Sequence, residues 1–215
     1  IANIRNDFFI ANNGNLNSLK NISDTEISRL RSRYFDLIKS NLQYKNNAKI
    51  IIDKLPLNII EIGFINRIFP NSKIILMLRH PCDAVLSCFI ADFKINEAMA
   101  NYYTLEESAF FYDEVFNLWE VYKQKLDLNY QIIKYEDIVV NFKSTIHNLI
   151  KFLNLEWEED LKNFNKKALN RNIIKTPSYS QVIEPLYLES IDRWKRYSDA
   201  IFLENKFDKW IKNFN

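Results

Sequence analysis

The run KIILML, residues 73–78, is followed at once by Arg79, His80 and Pro81 and then by the apolar stretch CDAVLSCF; this junction constrains the chain more than any other feature. Apolar on both faces, the run reads as a central parallel strand. Pro81 suits the first turn of a helix, where a backbone N–H has no intrahelical partner to lose. Arg79 therefore stands where a strand ends and a helix begins. In open α/β sheets ligands bind beyond the carboxyl ends of the strands, and a helix N-terminus offers free amides and the positive end of a dipole. An anion placed there meets Arg79 and those amides together. Ser87, about a turn and a half into the helix, brings a hydroxyl to the same place. On spacing alone the plainer role for Arg79 is that of a surface cation or the partner of a carboxylate such as Asp83.

The rest of the chain alternates helix and strand signals. Ser23 and Glu26 have capping-box spacing before a helix over about 24–42, whose Ile27, Leu30, Tyr34, Leu37 and Ile38 share a face. KIIID (49–53) reads as a short buried strand, and 56–69 as a helix that starts at Pro56 and stops before Pro70. The longest helix is expected over 105–126, a second strand with a polar tail over 130–138, and shorter helices near 142–153 and 157–168. A loop over 170–185 and helical pieces follow. Strand, helix, strand, helix, strand with right-handed crossovers means a parallel sheet covered on both faces.

Composition narrows the partners. Twenty-nine basic and 27 acidic residues among 215 leave a net charge of +2, so no overall field points to nucleic acid, and any anion site is local. At 47% apolar and 14% aromatic content the chain can bury a core as one domain, residues 1–215. Cys82 and Cys88 lie six positions apart in one expected helix, about 120° from facing each other, and so do not pair. Lacking a disulfide framework, the chain is expected in the cytoplasm. No apolar run approaches the roughly 20 residues of a membrane helix, and IANIRNDFFI has neither the form of a signal peptide nor an initiating Met. With His80 and His147 the only histidines, no metal site or histidine triad is expected.

The order DK-P (53–56), FPN-K (69–73), R-P (79–81) and Ser87 resembles the middle of sulfotransferases that use 3′-phosphoadenosine 5′-phosphosulfate (PAPS), especially the tyrosylprotein and bacterial tetratricopeptide-linked branches. The resemblance implies an α/β, P-loop-like three-layer fold with a parallel sheet flanked by helices. It implies that Arg79 and Ser87 hold the donor's 3′-phosphate. By the same resemblance Lys54 is the catalytic residue that contacts the transferring sulfuryl group, work that suits a point-charge ammonium. Tyr135, in YEDI, takes the place of the tyrosine against the adenine. SYSQVIEPLYLESIDRW (178–194) is similar to the segment that closes over the donor and puts Ser178 and Arg193 on it. His80 departs from the acidic residue usual after the arginine. Without the resemblance Lys54 reads as a surface lysine paired with Asp53, Tyr135 as a half-buried tyrosine, Arg193 as a solvated cation and Trp194 as a core anchor.

The resemblance covers roughly residues 48–197. The family's glycine-containing phosphosulfate loop has no counterpart, since the only glycines are Gly14 and Gly63 and neither sits in such a context. The family's acidic base, which follows that loop, is not matched either. A fragment without the first βα unit is therefore expected, one that alone carries no sulfuryl transfer. The implied partners are PAPS or its bisphosphate product and a hydroxyl acceptor, a protein tyrosine or a glycan. The alternative is a non-catalytic module that keeps a nucleotide or protein site. A P-loop kinase would need a G-x-x-x-x-G-K cradle that the chain lacks.

Overall fold

In the computed structural model, which describes residues 1–41, 50–91, 93, 96, 98–163, 188–197, 202–212 and 214, the elements run α1 (Ala2–Ala11), α2 (Asn17–Lys20), α3 (Asp24–Asn41), α4 (Ile62–Ile68), β1 (Lys73–Leu78), α5 (Pro81–Ile90), α6 (Leu105–Lys125), β2 (Asn129–Lys134), α7 (Tyr135–Val140) and α8 (Phe142–Phe152). Short helical turns follow, at Leu188–Ser190, Arg193–Arg196, Phe202–Lys206 and Asp208–Ile211. The fold is mixed α/β, a parallel sheet flanked by helices. The chain divides into two compact units, Ile1–Ile74 with Asn117–Asn129, and Ile75–Phe116 with Tyr130–Asn215.

In the first unit the capping signal is met: Ser23 Oγ accepts the backbone N–H of Glu26 at 3.2 Å as α3 begins. Ile27 and Leu30, on the expected face, join Ile4, Phe8, Ile22, Phe64 and Ile68 in a core. Each such side chain contributes about 1.5–3 kcal/mol when buried. Beside that core, Arg5 clasps Glu61 with two hydrogen bonds of 2.7 and 2.9 Å. Gly63 permits a close approach: a Cβ there would lie 3.0 Å from Cε1 of Tyr122, and the ring would have to shift to admit it. That ring is held in place by its hydroxyl, which donates to the Ile60 carbonyl at 2.8 Å.

Two expectations for this unit are corrected. Residues 50–53 form no strand, and Ile50, Ile51 and Ile52 are exposed. Among the described residues no neighbouring strand pairs with them, and an extended segment without a ladder gains no strand hydrogen bonds. The helix expected over 56–69 is split into a 3-10 turn, Pro56–Ile59, and α4. Asn58 turns its side chain to Asp53 Oδ1 at 3.2 Å, a local polar bond that competes with regular helix.

β1 and β2, which lie in the second unit from Ile75 and Tyr130 onward, pair with each other. Cys82, Val85 and Leu86 of α5 pack with Leu105, Ala109, Trp194, Leu203, Phe207 and Trp210. Leu76, Leu78 and Ile133 are buried, but Met77 is 54% exposed and Tyr130 and Ile132 are exposed too. Among the described residues the sheet has two strands, and the face that carries Ile75, Met77, Tyr130 and Ile132 is covered only in part. The polar tail expected after β2 coils into α7, and the helix expected over 157–168 is a 3-10 turn, Glu159–Asn163, as far as it is described. Both cysteines are free, and burial pushes the Cys82 thiol up to about 12. Among the described residues no helix is long and apolar enough to cross a membrane.

Candidate functional site

β1 delivers Arg79 to its carboxyl end and Pro81 starts α5 two residues later, so the arginine sits beside a helix N-terminus as its sequence context requires. Its guanidinium lies 5.5 Å from the centre of the Tyr135 ring, within cation–π range. Nη2 donates to the backbone carbonyl of Ser190 at 2.7 Å, whereas Nε is buried and has no hydrogen-bond partner among the described residues. Ser190 also pairs its hydroxyl with the Tyr135 hydroxyl at 2.7 Å. One serine, itself buried, therefore touches both residues.

The loop between β1 and α5 is fixed from α7. The His80 N–H donates to Glu136 Oε1 at 2.8 Å. The His80 ring stacks on Trp194, 5.8 Å between centres and 5° between planes, and meets Phe214 edge-on at 5.5 Å. Burial holds the His80 pKa below its ordinary value, against the pull of Asp83, Asp192 and Glu136. Neighbouring Cys88 has its thiol pushed up by burial, opposed by a hydrogen bond with Tyr102 and by the charge of Arg79.

The structure thus brings Arg79 and Tyr135 together. Ser87, half-buried, lies on α5 two turns beyond Arg79. Arg193 lies in the segment that carries Ser190, and its guanidinium reaches the Tyr197 hydroxyl at 3.4 Å and lies 6.0 Å from that ring. Ser178 lies outside the described residues. Lys54 belongs to the first unit, where it is exposed. Asp53 is not its partner: that carboxylate takes the Tyr34 hydroxyl at 3.1 Å and the Asn58 amide. Asp83, offered by the sequence as a partner for Arg79, instead accepts the N–H groups of Asp192 and Trp194. Trp194 is a core anchor, as expected, at 3% exposure.

Sequence reasoning missed Ser190, Glu136 and the true partners of Asp83. Ser190 acts partly through its backbone, which carries no sequence signal. Asp83 did leave one, being the only charged residue in the largely apolar α5. Among the described residues no group of three His, Cys, Asp or Glu could hold a metal ion.

The parallel sheet flanked by helices matches the fold of a solved sulfotransferase domain. The chain belongs to the sulfotransferase family, whose model matches residues 13–159. It is 26% identical over 170 residues to an uncharacterized protein of Aquifex aeolicus (strain VF5), covering 75% of this chain and 22% of that one. It is 24% identical over 164 residues to protein-tyrosine sulfotransferase 2 of Gallus gallus, covering 68% of this chain and 40% of the relative. The chain thus spans well under half the length of these curated relatives. Among solved structures, the sulfotransferase domain from the curacin biosynthetic pathway superposes with a TM-score of 0.54 at 16% identity, over 89% of this chain and 76% of that one.

Proposed function

We propose that the chain binds PAPS with its 3′-phosphate on Arg79 and serves transfer of the sulfuryl group to a hydroxyl, that of a protein tyrosine. The observation that carries this reading is the Arg79 guanidinium at the strand end, whose buried Nε–H has no acceptor among the described residues. A buried donor left unpaired costs about 1–3 kcal/mol, which an anionic oxygen repays. Guanidinium geometry suits a phosphate monoester. Ser87 is assigned to the same phosphate, Tyr135 to the adenine face, and Ser178 and Arg193 to closure over the donor. Lys54 is assigned to charge that develops on the transferring group. In transfer the bond from sulfur to the 5′-phosphate oxygen breaks, a bond from sulfur to the acceptor oxygen forms, and the acceptor proton leaves to a base. The relation to a protein-tyrosine sulfotransferase favours a tyrosine over a glycan.

A second reading, nucleotide binding without turnover, is favoured for these residues by the glycines: Gly63 is inside α4 and Gly14 is in a turn after α1, and neither stands in a loop between a strand and a helix. Titration with adenosine 3′,5′-bisphosphate and adenosine 5′-monophosphate, followed by an assay of the full-length protein with labelled PAPS against a tyrosine peptide and a glycan, separates the readings. Selective bisphosphate binding with sulfated peptide supports the enzyme. Selective binding with neither acceptor sulfated supports the module, and absence of selective binding contradicts both.

A further inference from the structure

Asp83 is only 1% exposed, and both of its carboxylate oxygens are taken by backbone donors more than 100 positions away. Oδ2 accepts the N–H of Asp192 at 2.8 Å and Oδ1 that of Trp194 at 2.9 Å. A buried carboxylate is costly unless such bonds satisfy it, and charge-assisted bonds to amides are among the stronger ones. Its position in the first turn of α5 adds the favourable end of the helix dipole. The segment it grips is conformationally committed. Asp192 has φ 57°, in the left-handed region that a residue with a side chain rarely occupies unless its surroundings hold it there. Two residues earlier stands Ser190, with its carbonyl on Arg79 and its hydroxyl on Tyr135.

We infer that Asp83 is a positioning residue: it fastens Asp192 and Trp194 so that Ser190 sets Arg79 and Tyr135 in the geometry that recognises a 3′-phosphorylated adenine nucleotide. The inference rests on the reading that Arg79 takes the 3′-phosphate. Asp83 has no need to touch the ligand. It acts through the backbone it holds, and its charge matters because an asparagine would offer one acceptor and turn an N–H₂ donor toward the second amide.

The test uses Asp83→Asn and Asp83→Ala, titrated with adenosine 3′,5′-bisphosphate and adenosine 5′-monophosphate, with amide hydrogen exchange read over 188–197. Bisphosphate binding should weaken about 10-fold more than monophosphate binding, which loses only what the orientation of Tyr135 supplies, while exchange at Asp192 and Trp194 accelerates. A purely structural aspartate would weaken both nucleotides equally; that result, or unchanged exchange, overturns the inference. If neither variant folds, the unmodified chain carries the test. The bisphosphate must then slow exchange at Asp192 and Trp194 more than the monophosphate does, and equal slowing, or none, overturns the inference. Arg79→Ala run alongside separates the two failures. If it keeps the discrimination between nucleotides, the phosphate reading falls; if it loses discrimination while the Asp83 variants keep it, the positioning role alone falls.

Discussion

Arg79 and Ser190 are 111 positions apart in sequence and 2.7 Å apart in space, guanidinium to backbone carbonyl. Because the acceptor is a carbonyl, replacing the serine side chain leaves that bond in place and removes the hydroxyl that meets Tyr135. The two ends of the nucleotide can therefore be probed separately.

Ser190→Ala should weaken adenosine 3′,5′-bisphosphate and adenosine 5′-monophosphate alike, by about 2- to 12-fold, the range of one neutral hydrogen bond. Calorimetry with the two nucleotides checks it. A loss confined to the bisphosphate would assign the hydroxyl to the phosphate and not to the orientation of the tyrosine.

His80 should make stability fall in mild acid. Its pKa is lowered in the folded chain, so between that value and the unfolded value of about 6.5 the unfolded state binds more protons. Stability is then complete above about pH 6.5 and declines as pH drops through the window below it. Urea midpoints at several pH values, compared with those of His80→Phe, should show a shallower decline in the variant. Parallel curves would mean that the ring contributes nothing to the pH dependence.

Much of this region was legible locally. The apolar run that became β1, the proline that opens α5 and the Ser23 cap of α3 each act within a few residues, and each is where the sequence put it. Residues 50–53 were misread because strand formation depends on a partner that local pattern does not reveal. Met77 was misread for a related reason: an apolar side chain announces a preference for cover, not its presence. Arg79 and Tyr135 could be named individually, but the serine that links them is joined through long-range contacts. Asp83 was visible as a lone charge in a largely apolar helix, and its amide partners were not.

In the first unit, Arg5→Ala should strand the Glu61 carboxylate, which is 7% exposed, and cost roughly 2–3 kcal/mol in urea unfolding. Replacing both residues, Arg5→Met with Glu61→Leu, should recover most of the loss. A double variant as unstable as Arg5→Ala would show that the pair does more than neutralise a buried charge.

Lys54, exposed and not bonded to Asp53, is free of the structural role its neighbour performs. In an assay with sulfuryl transfer, Lys54→Ala should lower kcat more than it weakens donor binding, as expected of a group that acts on charge developed during transfer. Weaker binding with kcat unchanged would make it a docking residue.

The most direct measurement is calorimetric titration of the unmodified chain and of Arg79→Ala with adenosine 3′,5′-bisphosphate and adenosine 5′-monophosphate. Charge-assisted hydrogen bonds of about 1.5–3 kcal/mol set the expected result: bisphosphate binding weakens roughly 10- to 150-fold and monophosphate binding hardly changes. Equal losses for the two nucleotides would contradict the assignment of Arg79 to the 3′-phosphate.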